Sequence, residues 1–225
     1  MSGFSFLATF LLKCLAESDQ GVVMQITIIS GSHRHNSQSE KVAKHVQTVL
    51  TAQGIQAEIF SLAGNPLPLW DESIWDKTSQ WSQVLAPLSA QLAASDAFVI
   101  ITPEWHGQVT SGLKNFFLLW GKNELAHKPA LIIAVSSSTG GVYPVAELRM
   151  SSYKNNRICY LPEHIIIRQV TNVLNEDATT NDSETDAYYR KRIHWALGIL
   201  ERYAQALAPV RAADGLFNEE FRNGM

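Results

Sequence analysis

Three short polar segments hold the residues of this chain whose types and spacing suit ligand chemistry. They are SGSHRHNSQSE at 30–40, TPEWHGQVTSG at 102–112 and SSSTGG at 136–141, and we call them loop 1, loop 2 and loop 3. Each follows a short apolar run. Hydroxyl, glycine and ring-bearing residues of this kind present donors, close backbone amides and flat surfaces to a bound molecule.

Loop 1 combines the groups that bind a phosphate monoester. Its hydroxyls include those of Ser32, Ser37 and Ser39, and its guanidinium is that of Arg34. A helix is predicted to follow, and the unpaired N–H groups and dipole of a helix start favour an anion. Ser37 and Glu40 also form an S-x-x-E capping box, which accounts for Ser37 without a ligand, so both interpretations stay open. The loop lacks GxxxxGK[ST] and GxGxxG, which disfavours triphosphate and Rossmann dinucleotide sites.

Loops 2 and 3 suit the flat part of a ligand. The strip in loop 2 is Pro103, Glu104, Trp105, His106 and Gly107, with Trp105 as a packing surface for an aromatic ring. The small residues of loop 3 let backbone amides approach a ligand, and they include Ser136, Thr139, Gly140 and Gly141. The alternative for loop 2 is that Trp105 only covers the end of a sheet, and the alternative for loop 3 is a simple turn.

Alternating strand and helix patterns must position these loops. The predicted strands are Met24–Ser30, Ile55–Leu62, Ala97–Ile101, Ala130–Val135 and His164–Val170. Helical spacing of apolar residues predicts five helices, including Val142–Asn155 and a last helix that carries Ile193 and Leu207 and ends at Pro209. Such alternation is typical of a doubly wound α/β fold, a five-stranded parallel sheet in the order 2-1-3-4-5 with helices on both faces. Ligands bind there beyond the carboxyl ends of the strands, where the three loops are expected to meet.

Composition excludes several classes of protein. The chain has 225 residues, 46% of them hydrophobic, with 18 basic and 21 acidic residues, a balance that favours a globular fold and gives no footprint for nucleic acid. Cys14 and Cys159 are the two cysteines and have no ligand spacing, so a reducing cytoplasm is expected. The apolar run Phe4–Leu12 is too short to span a bilayer, so no membrane attachment is expected, and a weak N-terminal targeting helix is the alternative.

The domain organisation follows from the same patterns. We expect residues 1–23 to be an N-terminal appendage, residues 24–209 to be the ligand-binding α/β domain, and residues 210–225 to be a C-terminal tail. The third predicted helix carries Leu118 and Leu119 in addition to its core stripe of Leu113, Phe116, Phe117 and Trp120. A helix that is apolar nearly all round needs a second burial surface, so a homodimer or homotetramer is expected.

Together the three loops resemble the flavin-binding segments of the NADPH-dependent FMN reductase family within the flavodoxin-like fold, the group of quinone, chromate and azo-dye reductases. The similarity covers roughly residues 24–170, and it includes LKNFF after loop 2 and LPLWDE after the second strand. It implies that FMN phosphate binds Ser32, Arg34, Ser37 and Ser39. It also implies that Pro103 to Gly107 run along the isoalloxazine and that Thr139, Gly140 and Gly141 face its pyrimidine edge.

This chain departs from the family pattern at three positions. Ser39 stands where the family often has Asn, Trp105 where it usually has Tyr, and His106 where it usually has Asn. A serine hydroxyl still suits phosphate. The other two changes alter the wall over the flavin and therefore bear on the choice of electron acceptor.

The resemblance implies an FMN-dependent oxidoreductase that takes hydride from NADPH or NADH. Electrons would pass to a small acceptor such as a quinone, an azo compound, a metal oxyanion or free flavin. The flavin carries this chemistry, so no side chain is assigned a catalytic role and no metal is expected. The alternatives are a non-enzymatic flavodoxin-like electron carrier and a metallohydrolase built on His33, His35 and His106, which lack the ligand spacing of a regular element.

Overall fold

A single parallel sheet organises the chain in the computed structural model, which describes residues 23–121 and 124–223. Its strands are β1 Gln25–Ser30, β2 Gln56–Ser61, β3 Ala97–Pro103, β4 Pro129–Val135 and β5 Cys159–Ile167, in the order β2-β1-β3-β4-β5. The α-helices are α1 Gln38–Ala52, α2 Trp81–Ala94, α3 Ser111–Leu119, α4 Val142–Ser151 and α5 Ser183–Ala212. This confirms the predicted fold class and strand order.

Two hydrophobic cores cover the two faces of the sheet. One core packs α1 and α5 against the sheet, and the other packs α2, α3 and α4 against the opposite face. All residues of β3 and β4 are buried, which explains why these strands are continuous apolar runs in the sequence. Since β1 pairs with β3 while the chain passes through β2 between them, the order reverses at this point and opens a crevice at the carboxyl edge. Loops 1, 2 and 3 all leave the sheet at that edge.

The fifth strand begins earlier than the sequence predicts. It starts at Cys159 and ends at Ile167, whereas His164–Val170 was expected. The sequence pattern did not predict the first half of the strand because it contains Pro162, and proline is tolerated in a strand mainly at the edge of a sheet or at a bulge. Here both conditions hold, since β5 is the last strand of the sheet and its register with β4 shifts between Ala130 and Ile132.

Two helix ends also differ from expectation. Helix α4 stops at Ser151, short of the predicted Asn155, and α5 continues through Pro209 to Ala212. Proline removes one helical hydrogen bond, but the last turn is held to the sheet by Arg211, which donates to the Asp96 carboxylate at 3.2 Å. The expectation that Pro209 ends this helix is therefore wrong.

The boundaries at the two ends of the chain are only partly visible. Residues 1–22 of the expected appendage lie outside the described residues. Near the other end, the Arg157 guanidinium donates to the carbonyl oxygens of Phe221 and Arg222. Within the described ranges, no helix is both long and apolar enough to cross a membrane.

Candidate active site

Loop 1 connects β1 to α1 and carries four buried serines, Ser30, Ser32, Ser37 and Ser39. Ser37 caps the helix, since its Oγ accepts the N–H of Glu40 at 3.1 Å, and Ser32 Oγ accepts the N–H of Arg34 at 3.3 Å. Ser39 lies in the first turn and is buried. Among the described hydrogen bonds, only the N-cap half of the capping box is formed, and the Ser37 hydroxyl that accepts this one bond keeps its own hydrogen for a ligand. Both interpretations of Ser37 are compatible in one structure.

The same loop presents a group of unpaired donors. Among the described residues, the backbone N–H groups from His35 to Ser39 have no protein acceptor. The Arg34 guanidinium is exposed and forms no ion pair within the described ranges. Ser30 Oγ at the end of β1 is buried without a hydrogen-bond partner. Five amides and a guanidinium at a helix start suit an anion with several oxygen atoms.

Loop 2 is shaped by a tight turn. Trp105 and Gln108 exchange two backbone hydrogen bonds, of 3.2 and 3.0 Å, across His106 and Gly107. Both central residues have positive φ, 50° at His106 and 69° at Gly107, as a type I′ turn requires. The backbone groups of Trp105 are therefore engaged within the turn. Trp105 is half-buried and His106 is exposed, so the turn presents its side chains rather than the Trp105 backbone.

Glu104 ties loop 2 to loop 3. Its Oε2 accepts the N–H of Gly141 at 2.5 Å, at the start of α4, and its Oε1 lies where a Cβ on Gly140 would approach to 2.7 Å. A carboxylate at a helix N-terminus is stabilised by the helix dipole. The N–H of Gly141 is consequently occupied, while Gly140 and Thr139 have backbone N–H groups with no described acceptor.

Loop 3 is held from its other side by the segment after β5. Ser136 donates its N–H to Ile167 O at 2.9 Å, and its Oγ accepts the N–H of Ser138 at 3.2 Å. The Thr139 carbonyl accepts a hydrogen bond from Arg168 Nε at 2.7 Å. The loop is therefore rigidly placed on both flanks, with its glycines facing Glu104.

Helix α4 braces the far end of loop 2. Glu147 accepts the backbone N–H of Val109 at 2.7 Å and forms an ion pair with Lys114 at 2.6 Å. The Thr110 hydroxyl donates to Gly31 O at 2.5 Å, which joins loop 2 to loop 1. The side chains of Glu147, Lys114 and Thr110 were not singled out in the sequence, since their partners lie on other elements.

A polar side chain that the sequence did not flag holds the segment after β2. Asn115 is buried in α3, accepts the N–H of Trp70 at 2.8 Å, and donates to Pro68 O at 2.8 Å. It is the Asn of LKNFF, and its partners lie in LPLWDE, so two family-like motifs meet here. A cavity of about 360 Å³ beside it is lined by residues of loop 1, α3 and this segment.

The expected site residues are brought together as three linked loops. His33 of loop 1 packs edge-on against Trp105 of loop 2, with ring centroids 5.4 Å apart, and Glu104 joins loop 2 to loop 3. Of the three loop histidines, His33 lies against α3 and His35 lies near Gly64. Across the described residues, no group of three His, Cys, Asp or Glu side chains is placed to hold a metal ion.

The chain is similar to known proteins in sequence and in fold. The sequence model of the family described as NADPH-dependent FMN reductase matches residues 24–172. An NADPH azoreductase of Bacillus sp. (strain OY1-2) is 26% identical over 129 residues, 57% of this chain and 68% of that protein. An FMN-dependent NADPH-azoreductase of Staphylococcus aureus (strain USA300) is 29% identical over 164 residues, 72% of this chain and 87% of that protein.

A solved structure shows the same fold. The flavoenzyme NAD(P)H:(acceptor) oxidoreductase FerB from Paracoccus denitrificans superposes with a TM-score of 0.62 at 21% identity. The superposition covers 82% of this chain and 97% of that one.

Replacement of Glu104 tests the link between loops 2 and 3. Glu104→Ala should lower the free energy of unfolding by about 1–3 kcal/mol, because the Gly141 N–H at a helix start loses a charged acceptor. Glu104→Gln keeps an acceptor and should lose less. Urea denaturation followed by circular dichroism measures both, with Glu220→Ala at an exposed carboxylate as the control. Equal stability of the Glu104→Ala and Glu220→Ala variants would contradict this role.

Proposed function

The chain belongs to the NADPH-dependent FMN reductase family, and from that membership we propose that it passes hydride from NADPH or NADH, through FMN, to a small acceptor. It is an FMN-dependent NAD(P)H oxidoreductase. The acceptor class that we propose is a quinone or an azo compound, because relatives that match along most of their length are named azoreductases. Metal oxyanions and free flavin are the further acceptors to be compared.

The unpaired donors of loop 1 carry the assignment of the cofactor site. FMN ends in a phosphate monoester, and five backbone N–H groups, three serine hydroxyls and the Arg34 guanidinium offer the donors that such a dianion needs. We therefore assign Ser32, Arg34, Ser37 and Ser39 to the phosphate. These four residues fit the FMN phosphate chemically. The only formally charged side chain among them is the positive Arg34, and Ser32 and Ser37 retain hydroxyl hydrogens.

Loops 2 and 3 are assigned to the isoalloxazine. Bound FMN supplies the hydride-accepting ring, and the protein holds that ring in place and excludes water from it. Pro103 to Gly107 provide a rigid strip with Trp105 as its packing surface. On the pyrimidine side, Thr139 and Gly140 retain N–H groups for the ring, whereas Gly141 and Ser136 shape the loop through bonds to Glu104 and Ile167.

A function as an electron carrier without enzymatic turnover is less well supported. Flavodoxin-like carriers combine this fold with strong acidity and a hydroxyl-rich phosphate loop, whereas this chain has a net charge of −3 and uses Arg34.

We also propose that residues 24–209 are the FMN-binding domain, that residues 1–23 and 210–225 are appendages, and that the enzyme works in the cytoplasm.

Flavin binding and turnover test the function directly. The purified chain should quench FMN fluorescence on binding and should oxidise NADPH or NADH faster when a quinone or azo dye is added with FMN. A protein without measurable affinity for FMN would overturn the proposal. A protein that binds FMN but shows no reductase turnover with any acceptor class would instead be an electron carrier.

Replacement of Arg34 tests the phosphate assignment. Arg34→Ala should weaken FMN binding roughly ten- to a hundredfold, as expected for loss of about 1.5–3 kcal/mol from a charged hydrogen bond. Riboflavin has the same ring without phosphate, so its affinity should barely change, and turnover at saturating FMN should change little. Arg202→Ala, at an exposed arginine of α5, is the matched control. Equal weakening of FMN and riboflavin binding would place Arg34 away from the phosphate.

Self-association is proposed from the exposed apolar side chains. Leu119 is only 7% exposed and belongs to the core. Leu118, the other leucine of this pair on α3, is 63% exposed to solvent. Tyr143 and Met150 of α4 are also exposed, one above the other at a spacing of seven residues. We therefore propose a homodimer or homotetramer.

Light scattering at micromolar concentration should give a mass of at least twice 25.0 kDa. Leu118→Arg should dissociate the assembly if α3 is the interface, and Met150→Arg should do so if α4 is. A wild-type protein that stays monomeric would contradict self-association.

A further inference from the structure

Helix α3 has an N-terminal cap that comes from another loop. Its own N-cap residue, Thr110, makes no side-chain capping bond, because its hydroxyl donates to Gly31 O. Instead the His33 ring accepts the N–H of Gly112 through Nε2 at 2.7 Å. The imidazole thus takes the place of the serine or aspartate oxygen that usually pairs this orphan N–H group. Loop 1 and the start of α3 exchange two hydrogen bonds in this way.

With the His33 ring in its observed position, there is no room for a side chain at position 112. A Cβ built on Gly112 would overlap the imidazole, with Nε2 as its nearest neighbour. Gly112 has no positive φ that would call for glycine. Its lack of a side chain is therefore explained by the approach of the His33 ring, which makes the pair a matched feature of this chain.

The hydrogen bond fixes the protonation of His33. A nitrogen that accepts a hydrogen bond carries no proton, so the ring is neutral with its proton on Nδ1. Protonation of Nε2 would remove the acceptor and would place a cation at the positive end of α3. Burial acts in the same direction and lowers the pKa of His33 below its ordinary value of 6.5.

The surroundings of His33 provide no countercharge. The residues that share its cavity are uncharged: Leu62, Asn65, Leu67, Leu69, Ser111 and Asn115. From loop 2 it meets Trp105, and from α3 it meets the backbone of Gly112. Arg34 and His35, next along the chain, are exposed to solvent. Among the described residues, no charged side chain lies against the ring or contributes to its pKa, which burial alone lowers.

His33 also contacts the residue proposed as the packing surface for the flavin ring. The two rings meet edge to face, at 83° and 5.4 Å between centroids. This is a preferred aromatic geometry, in which the edge of one ring faces the π-system of the other. Any movement of the imidazole away from Gly112 therefore changes the support of Trp105.

We propose that His33 is a positioning residue, which in its neutral form caps α3 and holds Trp105 against the isoalloxazine of bound FMN. The part that concerns the flavin rests on the proposed function, while the cap does not. Protonation of His33 breaks the bond to Gly112, releases Trp105, and weakens binding of the flavin ring at acidic pH. The phosphate contacts of loop 1 lie on other residues and are retained.

The cap is tested without any flavin. Nitrogen-15 spectra of the histidine rings in the flavin-free wild-type protein report tautomer and titration, with His33→Asn used to assign the signals. We expect an unprotonated Nε2, a protonated Nδ1, and a titration midpoint below 6.5. A ring protonated on Nε2 at neutral pH, or a midpoint at or above 6.5, would overturn the proposal.

The effect on the flavin is tested with riboflavin, which has no phosphate whose own titration would interfere. Wild-type affinity for riboflavin should fall at least severalfold between about pH 7.5 and pH 5.5, the range in which a histidine titrates. In His33→Asn the affinity at neutral pH should already be low and should depend much less on pH. Gly112→Ala should resemble His33→Asn, and His194→Asn, at an exposed histidine of α5, should resemble the wild type.

The outcomes separate this proposal from the proposed function. If the wild type binds neither FMN nor riboflavin at neutral pH, the proposed function fails, and the ring spectra still decide whether His33 caps α3. If the wild type binds FMN but His33→Asn keeps both the riboflavin affinity and its pH dependence, the positioning role is wrong and the function stands.

Discussion

The close approach of loop 1 to strand β3 is the constraint on which the carboxyl edge depends. Gly31 donates its N–H to Ile101 O at 2.8 Å, and a Cβ at this position would lie 2.6 Å from the same oxygen. Only a residue without a side chain allows this bond. Because loop 1 then lies directly beside the start of α3, Thr110 reaches Gly31 O and Gly112 reaches His33. The position of the proposed phosphate site relative to the proposed ring site follows from this contact.

The two halves of the site differ in how their polar groups are used. In loop 1 the donors from His35 to Ser39 lack protein acceptors, so that half is prepared for an anionic ligand. In loops 2 and 3 several backbone groups are already paired, within the Trp105–Gln108 turn and between Glu104 and Gly141. Bound FMN would therefore gain its directional polar contacts at the phosphate, while the ring would depend more on packing against a rigid wall.

Local patterns in the sequence predicted the fold and the meeting of the three loops at one edge of the sheet. Continuous apolar runs at β3 and β4, helical spacing in α1 and α3, and polar loops after β1, β3 and β4 are properties of neighbouring residues. The cross-loop contacts were not predictable in this way. Glu104, Glu147 and His33 each pair with a residue that is distant in sequence. Their partners are mostly backbone N–H groups, which every residue type except proline has, so the partner cannot be recognised from its side chain. The same limitation applies to β5, where a proline obscured a strand that the edge position tolerates.

The irregular first half of β5 has a consequence for the outer edge of the sheet. Arg149 of α4 donates to the carbonyl oxygens of Leu161, Pro162 and Glu163, and Pro162 has no N–H group. An unpaired strand edge is a template on which another chain can add a strand and begin to aggregate. Here three successive carbonyl oxygens that could accept from such an intruding strand are occupied, and one N–H group is missing. Helix α4 thus protects against intermolecular strand addition, in addition to supporting loop 2.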